Sequence, residues 1–158
     1  MPGFRVATAL AVVALLARTS AGVDEEGHRQ PPQEQMHRFP PQVVELGSIE
    51  ADGWILALGG GGESVIGQLE GRRVVAIDIS RRELEDAPGD ALKIVMDARD
   101  LQFLDETFDV AASFFTLMYI DGADHRSVFD EVHRVLRPGG RLLIWDAAFG
   151  DRPDKRIR

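Results

Sequence analysis

Four consecutive glycines, Gly59-Gly60-Gly61-Gly62, stand directly after the apolar run Trp54-Ile55-Leu56-Ala57-Leu58. Polar residues close three later runs in the same way: Asp78 after Val74-Val75-Ala76-Ile77, Asp97 after Lys93-Ile94-Val95-Met96, and Ser113 near the end of Asp109–Phe115. Glycine has no Cβ, so the chain turns sharply there and a ligand approaches the backbone closely. A carboxylate after the second run can accept hydrogen bonds from both ribose hydroxyls. One after the third can accept from an exocyclic amine on adenine. Each feature alone has a plainer reading, since glycine runs form turns and a strand-end Asp is often a turn or cap residue. In this order they point to a nucleoside-type ligand.

The elements that must hold these residues are legible from the same stretch. Trp54–Leu58 is short and wholly apolar, as suits a strand buried on both faces. Glu63–Leu69 reads as a helix with Val65, Ile66 and Leu69 on one side, closed by Gly71. After the second run, Ser80-Arg81-Arg82-Glu83 has capping-box spacing, which predicts a helix over Arg81–Ala87 stopped by Pro88-Gly89. Lys93–Met96 and Asp109–Phe115 are the third and fourth predicted strands. Val128, Phe129, Val132, Val135 and Leu136 recur at helical spacing between Asp124 and Leu136. Arg137-Pro138-Gly139-Gly140 predicts a stop, and Arg141–Trp145 a fifth strand ending at Asp146. Strands alternating with helices imply an α/β fold: a Rossmann-like, doubly wound, mostly parallel sheet of about five strands. Ligands of such sheets bind at the carboxyl ends of the strands, near the point where strand order reverses.

The glycine run leaves two ligand classes open. Gly59-x-Gly61-x-x-Ser64 approaches the dinucleotide fingerprint, and Asp78 lies 19 residues after Gly59. Glu63 weighs against that reading. Placed where the next helix begins, its carboxylate suits the positive end of the helix dipole, which a pyrophosphate also needs. S-adenosylmethionine has no phosphate, and its sulfonium and ammonium are cationic.

The ordered set resembles the class I S-adenosylmethionine-dependent methyltransferases with small-molecule-type cores. The likeness runs from Gly53 to Asp146: Trp54–Glu63, Val75-Ala76-Ile77-Asp78-Ile79-Ser80, Asp97-Ala98-Arg99-Asp100-Leu101, Phe108-Asp109-Val110, and Val128–Arg137 followed by Pro138–Ile144. The glycine loop is weakly specific alone, whereas the set with its Leu-Arg-Pro-Gly-Gly turn is strongly specific. The resemblance implies that Leu58, Gly59, Gly60 and Gly61 run along the methionine part of the cofactor. It implies that Asp78 holds the ribose diol with Ile79 on the adenine face. Asp97 would take the adenine amine, the Ala98 N–H a ring nitrogen, and Ser113 and Phe114 would lie by the methyl group. Two positions depart from the family: Ala57 stands where an acidic residue is usual, and Glu63 where a third glycine is usual. The family's last two strands, an edge hairpin, are not supplied by Ala147–Arg158, which is short and polar.

Methyl transfer is an in-line displacement, and proximity and alignment supply much of its rate. A base is needed only if the acceptor loses a proton early. Tyr119, Asp121, Asp124 and His125 are the candidates beyond the fourth strand. Against them stand ordinary roles: a surface histidine, helix N-caps and a packed tyrosine. No catalytic residue is assigned. Three functions stay open: methyl transfer to an unidentified, small-molecule acceptor; a non-catalytic, degenerate binding module; and an NAD(P)-binding oxidoreductase.

The 158 residues fit one domain of ordinary size. A net charge of −8 disfavours a nucleic-acid partner. With no cysteine there is no disulfide, thiolate ligand or cysteine nucleophile. Residues 1–21 have a signal-peptide layout: basic Arg5, apolar Val6–Ala17, and small Thr19-Ser20-Ala21 before Gly22. That layout suggests export or membrane association, with membrane contact confined to the leader; the plainer reading is an ordinary amphipathic or buried helix, or a wrongly chosen start codon, and the location expected is then cytoplasmic. Residues 22–46 read as a polar arm, 47–146 as the cofactor-binding core and 147–158 as a polar tail. His28 and His37 in the arm are too dispersed for a metal site. An uncovered edge at the fifth strand would offer a second copy a pairing surface.

Overall fold

The computed structural model describes residues 4–6 and 44–146, and the chain divides into two compact units, Met1–Gly47 and Ser48–Arg158. In the first, strand β1 (Phe4–Val6) pairs antiparallel with β2 (Val44–Leu46). The rest of the leader and arm, both arm histidines and the tail lie outside the described residues. Among the described residues, no helix is long and apolar enough to cross a membrane.

The second unit is built on five parallel strands in the order β5-β4-β3-β6-β7. In chain order these are β3 (Ile55–Leu58), β4 (Val74–Asp78), β5 (Leu92–Val95), β6 (Phe108–Phe114) and β7 (Leu136–Trp145). The chain moves outward from β3 through β4 to β5, then returns to β6 on the other side of β3. Strand order therefore reverses between β3 and β6, where such sheets bind ligands. The expected α/β, mostly parallel sheet of about five strands is present. Among the described residues, β7 has β6 on one side and no strand on the other.

All four residues of β3 are buried, as a strand covered on both faces requires. Leu56 and Leu58 join Val75, Ile77 and Ala111 on one face, covered by Val128, Val132 and Val135 of helix α3 (His125–Val135). Ile55, Ala57, Val74, Ala76, Val110 and Ala112 form the other face with Ile49 and with Ile66 of α1 (Val65–Glu70). Between β4 and β5 lies α2 (Arg81–Asp86).

Several boundaries differ from the expectation. α1 starts at Val65 rather than Glu63, because Ser64, at the N-cap, takes a left-handed backbone (φ 45°). Glu63 is exposed and lies outside the first turn, so the helix-dipole argument against a pyrophosphate loses its ground. The capping box is half formed: Ser80 Oγ accepts from Glu83 N at 3.2 Å, while Ser80 N donates to Asp78 Oδ1 at 2.8 Å and not to Glu83. The largest difference is at Arg137–Gly140. It ends the helix as expected, but the segment lies within β7. Phe108 pairs with Leu136 and Val110 with Arg141, so two steps along β6 match five along β7. Gly139, at φ 80°, lets this excess bulge out without breaking the ladder.

Candidate functional site

The carboxyl end of β3 leads into the glycine loop. Gly59 takes φ 62° and Gly62 φ 56°, a left-handed backbone that glycine adopts without strain. The loop is tied to its neighbours by backbone bonds: Gly60 N donates to Ile77 O at 2.8 Å and Gly62 N to Glu83 O at 3.0 Å. Its glycines are also forced by space. A Cβ at Gly59 would overlap the Thr116 side chain, and one at Gly60 would come within 2.6 Å of Ala76 Cβ. At Gly61 it would lie 2.6 Å from Glu83 Cβ and 2.8 Å from Asp78 Oδ2.

Asp78, at the end of β4, organises this corner. Its Oδ2 accepts from Gly61 N at 3.3 Å and its Oδ1 from Ser80 N at 2.8 Å. A carboxylate has about four lone-pair positions, so each oxygen keeps one for a ligand. Ile79 beside it is 74% exposed, an open apolar face at a strand end.

Asp97 follows β5, with Ala98 partly buried against the core beside it. Asp97 is already engaged. Arg99 places Nε 3.0 Å from each carboxylate oxygen and a terminal nitrogen 2.7 Å from Oδ2, and its backbone N–H meets Oδ1 at 2.8 Å. The side-chain bond first and the backbone one next hold the Asp97 carboxyl below the usual carboxylate range, and the side-chain bonds to Asp97 and then to Asp124 raise the Arg99 guanidinium above its own. The other terminal nitrogen of Arg99 reaches Asp124 Oδ2 at 2.6 Å.

Ser113 pairs with Leu58 across the β3–β6 ladder and is fully buried, and its hydroxyl has no hydrogen-bond partner among the described residues. A buried hydroxyl without a partner is costly, and here it lies one ladder step from the glycine loop. Phe114 is partly buried on the opposite face, against Trp145. The next residue, Phe115, adopts φ 51°, a strained conformation for an aromatic residue. A 3-10 turn over Leu117–Tyr119 follows.

The structure thus gathers Leu58, Gly59, Gly60, Gly61, Asp78, Ile79 and Ser113 around the switch point, while Asp97 and Ala98 stand one strand further out. It adds Thr116, whose hydroxyl donates to Leu58 O at 3.0 Å. It also adds Glu83, which packs on Gly61. Neither had a sequence signal beyond following a strand or a cap.

Three of the four candidate bases find structural roles. His125 Nε2 lies 3.0 Å from Leu117 O and 3.2 Å from Ile120 O, so its proton is donated to the 3-10 turn. Asp121 accepts from Ala123 N at 2.8 Å. Asp124 stands at the N-cap position of α3 but accepts no capping bond; its carboxylate turns to Arg99. Tyr119 is 76% exposed.

A cavity of about 260 Å³ lies at the opposite end of the sheet, by Glu50, Asp52, Asp109 and Arg137. Arg137 and Asp109 form an ion pair there. Among the described residues, no cluster of side chains suits a metal ion.

The chain has counterparts among known proteins. The sequence model of the methyltransferase domain family matches residues 56–144, more than half of the chain. The chain belongs to that family. An O-methyltransferase of Aspergillus sclerotiorum is 31% identical over 150 residues, 84% of this chain and 56% of the relative. A demethylmenaquinone methyltransferase of Clavibacter sepedonicus is 39% identical over 95 residues, 56% of this chain and 38% of the relative. A solved S-adenosylmethionine-dependent methyltransferase from Methanosarcina mazei is 25% identical with a TM-score of 0.52, covering 61% of this chain and 53% of that one. The chain spans about half the length of these relatives.

The cofactor that membership of this family implies is S-adenosylmethionine. The dinucleotide reading is set aside on the same ground. The residues around the glycine loop suit a nucleoside cofactor: two spare acceptor positions on Asp78 and an exposed Ile79. Asp97 fits less simply, since Arg99 occupies its acceptor positions.

Proposed function

We propose that the chain transfers a methyl group from S-adenosylmethionine to a small-molecule acceptor. The observation that carries this reading is the brace between Asp78 and the glycine loop at the switch point, with one lone pair left on each Asp78 oxygen. When bound, the cofactor supplies a methyl on a cationic sulfur, open to in-line attack. The chain's own part is to bind and align. Asp78 accepts from the two ribose hydroxyls, Ile79 lies against the adenine, and the glycine backbone lets the methionine part pass close. Ser113 offers a hydroxyl that its own fold leaves without a partner. Alignment of this kind accounts for a large share of the rate in a displacement reaction. A small-molecule acceptor is supported by the relatives, one named an O-methyltransferase and one a demethylmenaquinone methyltransferase.

Calorimetric titration of the full chain with S-adenosylhomocysteine and with NAD tests the reading. Heat with the first and none with the second is expected, and binding lost in Asp78→Ala would tie it to this site. No heat with S-adenosylhomocysteine would end the cofactor assignment.

A second reading is a module that binds without turnover. Ala57 favours it, because that position is buried among Ala76 and Ala112 and offers no carboxylate to the loop. Methyl release over a panel of small-molecule acceptors separates the two. Export through residues 1–21 and pairing of two copies along β7 are further proposals. N-terminal sequencing of the mature protein and sedimentation at rising concentration test them.

A further inference from the structure

Arg99 lies beside the carboxylate expected to read adenine, and its own donors fill that carboxylate. Four contacts converge on Asp97: the Arg99 backbone N–H on Oδ1, Nε on both oxygens, and a terminal nitrogen on Oδ2. A carboxylate offers about four lone-pair positions, so an incoming amine finds none open. Arg99 also has a second holder. Its other terminal nitrogen bonds Asp124 Oδ2 at 2.6 Å, and Asp124 is spared from capping α3. The three side chains are 37–48% exposed, so they can move against solvent without disturbing the core.

We propose that Arg99 is a positioning residue that gates adenine recognition, bound to Asp97 and Asp124 together in a closed arrangement and to Asp124 alone in an open one. This rests on the cofactor reading above. The closed arrangement is the one in the structure. Opening needs only the outer dihedrals of Arg99 to turn, so that Nε and one terminal nitrogen leave Asp97 while the bond to Asp124 holds the guanidinium nearby. The freed Asp97 oxygens then accept from the exocyclic amine. Because solvent-exposed ion pairs are individually weak, such a gate opens at modest cost. Because the pairing is charge-assisted and forked, it still discriminates: a base without an amine gives Asp97 nothing in return for Arg99. Arg99 therefore acts on cofactor selectivity through Asp97, without touching the reacting atoms.

The test is calorimetric titration of the full chain, wild type and variants, with S-adenosylhomocysteine and with its 6-deamino purine analogue, in which hydrogen replaces the amine. Arg99→Gln removes the competitor, and roughly threefold or more tighter binding of S-adenosylhomocysteine is expected. The gain should be absent for the deamino analogue. Arg99→Lys keeps the charge and loses the fork, so its affinity should fall between wild type and Arg99→Gln. Equal or weaker binding in Arg99→Gln, or an equal gain with both ligands, would overturn the gate and leave the cofactor reading standing. Failure of wild type and Arg99→Gln alike to bind S-adenosylhomocysteine would remove the cofactor reading and the gate together.

Discussion

Asp78 braces the glycine loop and Ser80 with one lone pair of each carboxylate oxygen, and the proposed hold on the ribose would use the other. One of each oxygen goes to a backbone N–H, from Gly61 and from Ser80. Asp78→Asn keeps the shape but replaces one acceptor oxygen by a donor. It should weaken S-adenosylhomocysteine binding by at least about tenfold, equivalent to ~1.4 kcal/mol. Loss of the loop's bond should lower stability by about 1 kcal/mol as well, which urea unfolding without ligand measures. Gly61→Ala fails for a different reason: its Cβ would meet Glu83 Cβ at 2.6 Å and Asp78 Oδ2 at 2.8 Å. Asp78 and the glycines were legible in the sequence because their signals are local, a polar residue ending an apolar run and a turn that needs glycine. Thr116 on Leu58 and Arg99 on Asp124 were not, because those pairs join residues 58 and 25 positions apart. No spacing rule marks such a meeting before the strands are ordered.

Among the elements, α3 binds the site's supports together through two charged residues. Glu131 accepts the Leu101 N–H at 2.8 Å, and Arg134 donates to Leu101 O at 2.7 Å and Phe103 O at 2.9 Å. The helix thereby fixes the loop that carries the chain from β5 to β6. The Arg134 hydrogen bond holds the Glu131 carboxyl below its usual range, as Arg99 does for Asp97. A carboxylate lowered in the folded state contributes stability that is present above its unfolded value and lost as pH falls through the lowered one. The unfolding midpoint should therefore drop as pH falls below about 4, and Glu131→Gln should flatten that acid limb. Beneath the loop, Phe108 is 1% exposed and stacks edge-on against Phe103. Phe108→Ala should cost about 3–5 kcal/mol by the cavity it leaves, read as a lower denaturant midpoint with an unchanged slope. Helix and strand existence followed from periodicity, but the start of β7 did not. Pro138-Gly139-Gly140 carries every mark of a turn, and only the β6 partner shows that the ladder resumes around it.

At the scale of the molecule, the five-strand order places the glycine loop where outward and return halves of the chain diverge, so a ligand there touches β3, β4 and β6 at once. The strands it would join already share both core clusters, and the ligand adds a term that only the assembled sheet receives. Linkage then makes binding visible as stability: a ligand at one hundred times its dissociation constant, bound to the folded state alone, contributes about 2.7 kcal/mol. S-adenosylhomocysteine should accordingly raise the unfolding temperature of the full chain in a concentration-dependent way, while NAD at the same concentration leaves it unchanged. Asp78→Asn should blunt the shift without altering the fold, whereas Phe108→Ala should lower the starting temperature yet keep the shift, since its side chain lies in the core rather than at the loop. A shift that survives Asp78→Asn undiminished would place the ligand elsewhere on the molecule. That contrast separates a ligand held at the switch point from one that merely favours any compact state.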